Sequence, residues 1–199
     1  MTDLDLKRTV LDLPDCDIVY YPNFFQAKKA LILFEKLRKE VPWQQDHITL
    51  FGKTHPQPRL TALFGNNGKS YSYSNITMNP HGFTPDLLHI KTAIEKETQA
   101  NFTTCLLNLY RDGRDSNGWH ADDEKELGQN PIIASVSLGA PRFFHLRHKH
   151  DRSLKYKMRL EHGSLLVMSG KTQHFWQHQI PKTSKKIGER INLTFRVIV

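Results

Sequence analysis

From Thr103 to Val199 the chain reads as one short alternating segment after another: Thr104 to Tyr110, Ile132 to Leu138, Arg142 to Arg147, Leu154 to Leu160, Ser164 to Met168, His174 to His178 and Arg190 to Val199. No helical period interrupts them. Many short strands after two helices predict a mainly β fold with flanking helices, a jelly roll with the helices packed outside. Leu154, Tyr156, Met158 and Leu160 alternate with Lys155, Lys157 and Arg159, giving one core face and one basic face. In the last segment Ile191, Leu193 and Phe195 share a core face, while Arg190, Asn192, Thr194 and Arg196 share a polar, doubly cationic one. These two arginines stand six residues apart, a Cα separation of roughly 20 Å at strand rise. They cannot duplicate one bond, but they can converge on opposite ends of a small diacid, with Asn192 and Thr194 supplying neutral hydrogen bonds between them. For this segment alone a solvated strand face is an equal reading.

Two helices precede the strands. Asn23 and Gln26 have capping-box spacing, and Phe25, Ala27, Ala30, Leu31, Phe34, Leu37 and Val41 form an apolar stripe that ends near Pro42. A second helix starts at Thr84-Pro85-Asp86, carries Leu87, Leu88, Ile90 and Ile94 on its buried side, and runs to about Gln99. Between them Phe51-Gly52 reads as a turn, Gly65 to Gly68 as a hairpin loop and Tyr71 to Thr77 as a short strand. No linker or low-complexity run divides the chain. One domain is expected over 1–199, with N-terminal helices and a lid over about 20–100 and the jelly-roll core over about 103–199.

The longest apolar runs fall far short of a membrane span, which excludes a membrane partner of the helical kind. An acidic start without an apolar stretch argues against secretion, so an intracellular protein is expected, cytoplasmic in a bacterium and nuclear in a eukaryote. Cys16 and Cys105 are the only cysteines and read as packed thiols. The net charge of +8 favours an anionic partner. Its distribution says more: Arg142, Arg147, Lys149, Arg152, Lys155, Lys157 and Arg159 meet a single acid, Asp151, with Lys171, Lys182, Lys185 and Lys186 nearby. As a group they point to nucleic-acid phosphates.

His120-Ala121-Asp122 follows the Thr104 to Tyr110 segment and a loop whose Gly113 and Gly118 permit tight turns. A histidine and a carboxylate at this spacing can grip one metal if a third ligand joins them. Among His145, His148, His150, His162, His174 and His178, the best placed is His178, which ends a strand just before the loop into the Arg190 segment. His174 shares its face by alternation and is the fallback. Two histidines and a carboxylate with open positions opposite describe the facial triad of non-haem Fe(II) oxygenases, whereas the His-Glu-x-x-His of zinc proteases is absent. An open iron binds a 2-oxo acid and dioxygen, and a diacid with its far carboxylate on arginine is then 2-oxoglutarate.

Asn108-Leu-Tyr110, His120-x-Asp122-Asp123-Glu124, the later His178 and Arg190-x-Asn-x-Thr-Phe-Arg196 together resemble the AlkB family of Fe(II)/2-oxoglutarate-dependent nucleic-acid demethylases. The resemblance is strongest from Asn108 onward and implies a double-stranded β-helix, another name for the jelly roll. It implies iron on His120, Asp122 and His178, and 2-oxoglutarate on Asn108, Tyr110, Arg190, Asn192, Thr194 and Arg196. Asp123 and Glu124 follow the iron ligand directly, and in the family the first of them meets the exocyclic amino group of the damaged base. A carboxylate there suits 1-methyladenine and 3-methylcytosine, which are cationic.

Tyr71, Tyr73 and Ser74 resemble the family's substrate lid, where bases stack on aromatics. Leu50-Phe51-Gly52-Lys53 resembles the finger of the branch that prefers double-stranded DNA, with Phe51 as the wedge and Arg59 on a nearby phosphate. The implied activity is repair of N-alkylated bases in DNA, duplex as well as single-stranded, by a monomer that releases formaldehyde, succinate and CO2. Alternatives are a same-fold RNA or protein oxygenase and a non-catalytic nucleic-acid-binding module.

Overall fold

The computed structural model describes residues 7–50, 52–66, 68, 71–73 and 76–198. Strands β1 (Thr9–Val10) and β2 (Asp17–Tyr21) precede helix α1 (Ala27–Glu40). Five short strands follow, β3 (His47–Leu50), β4 (Lys53–Pro56), β5 (Leu60–Gly65), β6 (Tyr71–Tyr73) and β7 (Ile76–Met78), and then α2 (Pro85–Thr98). The remainder is β8 (Thr104–Tyr110), β9 (Asn117–His120), β10 (Ile133–Gly139), β11 (Arg142–His148), β12 (Lys155–Leu160), β13 (Ser164–Ser169), one helical turn α3 (Thr172–Phe175), β14 (Trp176–Ile180) and β15 (Arg190–Arg196).

Two antiparallel sheets carry the architecture. The larger orders its strands β1-β2-β13-β10-β15-β8-β5 and the smaller β12-β11-β14-β9. Ile18, Leu63, Leu106, Phe144, Leu146, Met168 and Trp176 pack between them. On its other face the large sheet presents Leu107, Val136, Leu165, Ile191 and Leu193 to Leu33 and Leu37 of α1 and to Leu87, Ile90 and Ile94 of α2. Each such side chain contributes roughly 1.5 to 3 kcal/mol of burial. This is the mainly β jelly roll with flanking helices that the alternation predicts. Among the described residues no helix is long and apolar enough to cross a membrane.

Because helices cover one face of the large sheet and the small sheet covers the other, β15 is buried on both sides. Arg190 is 1% exposed, and Asn192, Thr194 and Arg196 are buried with it. The reading of that polar face as solvated surface is thereby excluded.

Several local expectations are corrected. A division near residue 100 does not separate the core, since β1, β2 and β5 join the same large sheet as β8 and β15. Asn23 and Gln26 form no capping box: Gln26 is the N-cap without a side-chain bond, and the entry to α1 is held by Phe25 N donating to Gly163 O at 2.9 Å. Thr84 does cap α2, its Oγ1 accepting from Leu87 N at 3.3 Å. Leu31 and Leu88 are exposed, each one step around the helix from the buried rows Ala30/Leu33/Leu37 and Leu87/Ile90/Ile94.

Gly65 ends β5, which pairs with β8, and part of the Gly65 to Gly68 loop, Asn67, lies outside the described residues. The 71–77 segment is not one strand but the hairpin β6–β7. The strand run after residue 103 is interrupted by a 3-10 turn (Lys125–Leu127) and by α3, which takes up His174, and β15 ends at Arg196 rather than Val199.

Candidate active site

The site begins with a brace on the loop between β8 and β9. Asp115 accepts from Arg111 three times, from N and Nε at Oδ2 (2.9 and 2.8 Å) and from Nη2 at Oδ1 (2.9 Å). Arg142 donates to the carbonyls of Asp112 (3.2 Å), Asp115 (2.9 Å) and Pro181 (2.7 Å). At Gly113 an added Cβ would stand 2.4 Å from Thr183 O, so only glycine permits the close approach of this loop to the one after β14.

With the loop fixed, β9 pairs with β14 so that His120 lies opposite His178, their ring centroids 4.2 Å apart. Asp122 follows two residues later, and one ligand atom from each of the three residues lies within 4.8 Å of the others. His120 Nδ1 donates to Gly118 O at 2.8 Å, which leaves Nε2 as the acceptor. His178 stacks on Phe144, centroids 5.2 Å apart.

The protonation states suit a cation. Burial, aided by neighbouring His120, pulls His178 down to about 3, and burial likewise lowers His120, so both rings are neutral. Burial would raise Asp122, but Arg196, His178 and His120 outweigh it and hold the carboxyl at about 2. Arg196 Nη2 donates to Asp122 Oδ1 at 2.7 Å. Two neutral imidazoles and an ionised carboxylate are the donor states a divalent metal requires.

The same cavity continues to the diacid end. Strand register sets Arg190 opposite Tyr110 and Asn192 opposite Asn108. Arg190 donates through Nη2 to Ser137 Oγ at 2.9 Å and lies over the Tyr110 ring at 5.1 Å. Its Nε and Nη1 are buried without a hydrogen-bond partner among the described residues, and burial lowers its pKa to about 10. Two guanidinium nitrogens with open N–H bonds inside a cavity fit an incoming carboxylate. Asn192 Nδ2 donates to Ser135 Oγ (2.8 Å) and its Oδ1 accepts from Thr194 Oγ1 (3.0 Å). These polar groups, with His120, Asp122 and His178, line one cavity between the sheets.

Sequence reasoning missed two members. Arg59 is not at a phosphate-facing surface: it is 4% exposed, lines the cavity and donates from Nε to Asn108 Oδ1 at 2.8 Å. Its cue is the pairing of Thr61 with Asn108, which is invisible without the register. Gln173 is fully buried and accepts from Asp122 N at 2.9 Å. No sequence signal marks it.

The basic stripe loses Arg142 to the interior, while Arg147, Arg152, Lys155 and Lys157 line one groove beside Trp119. Arg142 is 3% exposed and interior, sharing its β11 face with Phe144 and Leu146. Arg147 lies over Trp119 at 4.3 Å and donates to Gln177, Lys149 pairs with Asp123, and Arg159 pairs with Glu161. Arg152, Lys155 and Lys157 face solvent.

Of the other histidines, His148 Nδ1 accepts from Asp151 N, His162 Nδ1 from Gly139 N, and His174 contacts Asn130 outside the cavity. His174 is not on the His178 face because a helical turn breaks the alternation. Asp123 is exposed beside the cluster and Glu124 is partly buried. Gly52, in the left-handed region with φ of 74°, closes the two-residue β3–β4 loop, and Lys53 is exposed after it. Tyr71 and Tyr73 lie on β6; Phe51 and Ser74 lie outside the described residues.

A model of the 2OG-Fe(II) oxygenase superfamily matches residues 17–196. The mouse (Mus musculus) alpha-ketoglutarate-dependent dioxygenase alkB homolog 3 is 44% identical over 191 residues, 91% of this chain and 66% of that protein. The human (Homo sapiens) DNA oxidative demethylase ALKBH2 is 38% identical over 195 residues, 93% and 74% respectively. The chain spans about two thirds of the alkB homolog 3 relatives it matches, 64 to 66% of their length. The solved structure of OsALKBH1 superposes with a TM-score of 0.69 at 17% identity, covering 95% of this chain and all of that one, and shares the fold. By the extent of the family match and the similarity of these relatives, the chain belongs to the AlkB family of 2-oxoglutarate and Fe(II) oxygenases.

Proposed function

We propose that this protein is an oxidative demethylase of N-methylated bases in DNA, 1-methyladenine and 3-methylcytosine first among them. It consumes 2-oxoglutarate and O2 and releases formaldehyde, succinate and CO2. The observation that carries this reading is the convergence, in one cavity, of the His120/Asp122/His178 donors and the buried Arg190, whose Nε and Nη1 have no hydrogen-bond partner among the described residues. The ALKBH2 relatives are named as DNA oxidative demethylases, which supports DNA as the substrate, with RNA the alternative.

Fe(II) would be held by His120, Asp122 and His178, and when bound it supplies the oxidising power to attack an unreactive N-methyl C–H bond. The chain's own residues bind and orient. Arg190 receives the far carboxylate of 2-oxoglutarate, while Asn108, Tyr110, Asn192 and Thr194 fix the rest of the diacid between the sheets. Arg196 holds Asp122 ionised and in place through the 2.7 Å bond.

Asp123, exposed next to Asp122, attracts the cationic lesion and accepts from its amino group, assisted by Glu124. Lesions on the pairing edge weaken the duplex locally, so their extrusion costs less than that of a normal base. The β3–β4 hairpin with Phe51, Gly52 and Lys53 serves as the finger in duplex DNA, and Tyr71, Tyr73 and Ser74 as the lid over the base.

The test is formaldehyde and succinate release from single-stranded DNA, duplex DNA and RNA carrying one 1-methyladenine, with Fe(II), 2-oxoglutarate and Asp122→Ala as control. Release from DNA by the wild type and none by the variant is expected. No release from any of the three substrates would sink the demethylase reading. Selective loss of duplex activity in Phe51→Ala supports the finger, and equal loss on all substrates counts against it.

A further inference from the structure

Asp123 is not left to itself. Lys149 Nζ lies 2.9 Å from Asp123 Oδ2 and donates also to Gln173 O at 2.9 Å. The lysine's backbone is pinned as well, its N donating to Phe175 O at 2.7 Å. Gln173 is fully buried, and its Oε1 accepts from Asp122 N at 2.9 Å. One glutamine therefore fixes Asp122 through its side chain and, through its carbonyl, the lysine that pairs with Asp123.

An ammonium held at this position acts on the base by charge. It partly neutralises the carboxylate that a cationic base is attracted to, and it repels the cation directly. A neutral base loses neither the acceptor nor anything to repulsion. The side chains of Lys149 and Asp123 are 23% and 48% exposed, so solvent screening keeps the effect moderate.

We infer that Lys149 is a specificity-determining residue, setting how strongly the base pocket prefers cationic over neutral N-methylated bases by keeping its positive charge beside the Asp123 carboxylate. The inference rests on the demethylase reading and extends it to a residue outside the iron and 2-oxoglutarate sets.

The experiment measures Kd of the metal-free protein for single-stranded oligonucleotides carrying one 1-methyladenine or one 1-methylguanine. The second lesion is neutral but keeps an exocyclic amino group. Loss of one phosphate-attracting cation weakens both equally and cancels in the ratio. In Lys149→Met the preference for the cationic base rises about three- to tenfold over wild type, and Lys149→Arg stays within about twofold of wild type because it retains the charge.

In an Asp123→Asn background Lys149→Met shifts the ratio less than it does beside the intact carboxylate. An unmoved ratio in Lys149→Met, or an equal shift in Lys149→Arg, overturns the inference. Formaldehyde release by the loaded wild type is measured alongside. Its absence defeats the demethylase reading, whereas release with an unmoved binding ratio defeats only the role given to Lys149.

Discussion

Two buried arginines flank the Tyr110 ring, Arg142 at 5.6 Å and Arg190 at 5.1 Å, and they live opposite lives. Arg142 reaches three backbone carbonyls, and so ties the β8–β9 loop to the loop after β14. Arg190 bonds Ser137 Oγ and the Tyr110 side chain, and its Nε and Nη1 are buried without a hydrogen-bond partner among the described residues. A guanidinium whose N–H groups are used holds a fold together. One whose N–H groups are left open in a cavity pays a desolvation cost that a ligand carboxylate removes. The same residue type in nearly the same place thus separates scaffold from site.

The comparison can be broken or sharpened by substitution. The largest effect is expected from Asp122→Ala, which takes one of three ligands from the cluster that shares Arg190's cavity. Mn(II) affinity should fall by more than the roughly 10- to 100-fold typical of a residue that merely supports a ligand, as read by titration with a paramagnetic-metal signal. Retained affinity would detach the metal from this cavity.

Next comes the scaffold arginine. Arg142→Met strips three carbonyls of a donor, so unfolding stability should drop by about 2 to 4 kcal/mol in urea titration. Affinity for 2-oxoglutarate in the folded fraction should change little. A stable variant with lost 2-oxoglutarate binding would reverse the roles assigned to the two arginines.

A comparable effect is one of pH on the metal-free protein. An unfolded chain takes up a proton at His178 near the ordinary value of 6.5, whereas the folded protein resists until about 3. Stability contributed by the neutral ring is full above 6.5 and is lost as pH falls toward 3. Asp122 continues the loss between its ordinary 3.8 and about 2. Denaturation midpoints at pH 7, 5 and 4 should decline, and less steeply in His178→Leu; parallel curves would show that the ring is not buried neutral.

Much of this was legible in the sequence, because alternation reports which residues share a face. It groups Arg190, Asn192, Thr194 and Arg196, which line one cavity in the structure. Alternation does not report whether a face points in or out; that depends on what covers the sheet. Arg142 belongs by charge to the basic stripe, yet its parity with Phe144 and Leu146 points inward.

Gln173 and Arg59 were beyond reach for another reason. Their partners, Asp122 and Asn108, lie 51 and 49 residues away and meet them only after the strands pair. Alternation places His174 with His178, but a single helical turn of four residues, too short to show a period, separates them. Leu31 and Leu88 show that apolar residues at the edge of a helical stripe do not follow it into the core.

The most direct measurement is calorimetric titration of 2-oxoglutarate into the Mn(II)-loaded wild type and Arg190→Met, with thermal unfolding of both. The wild type should bind one 2-oxoglutarate. The variant should bind on the order of 100-fold more weakly, since a buried ligand carboxylate loses its cation, while its Tm is unchanged or higher because a buried, half-satisfied charge is gone. Equal affinity in the two proteins, or an Arg190→Met that unfolds as Arg142→Met does, would contradict the assignment of Arg190 as the open arginine of the site.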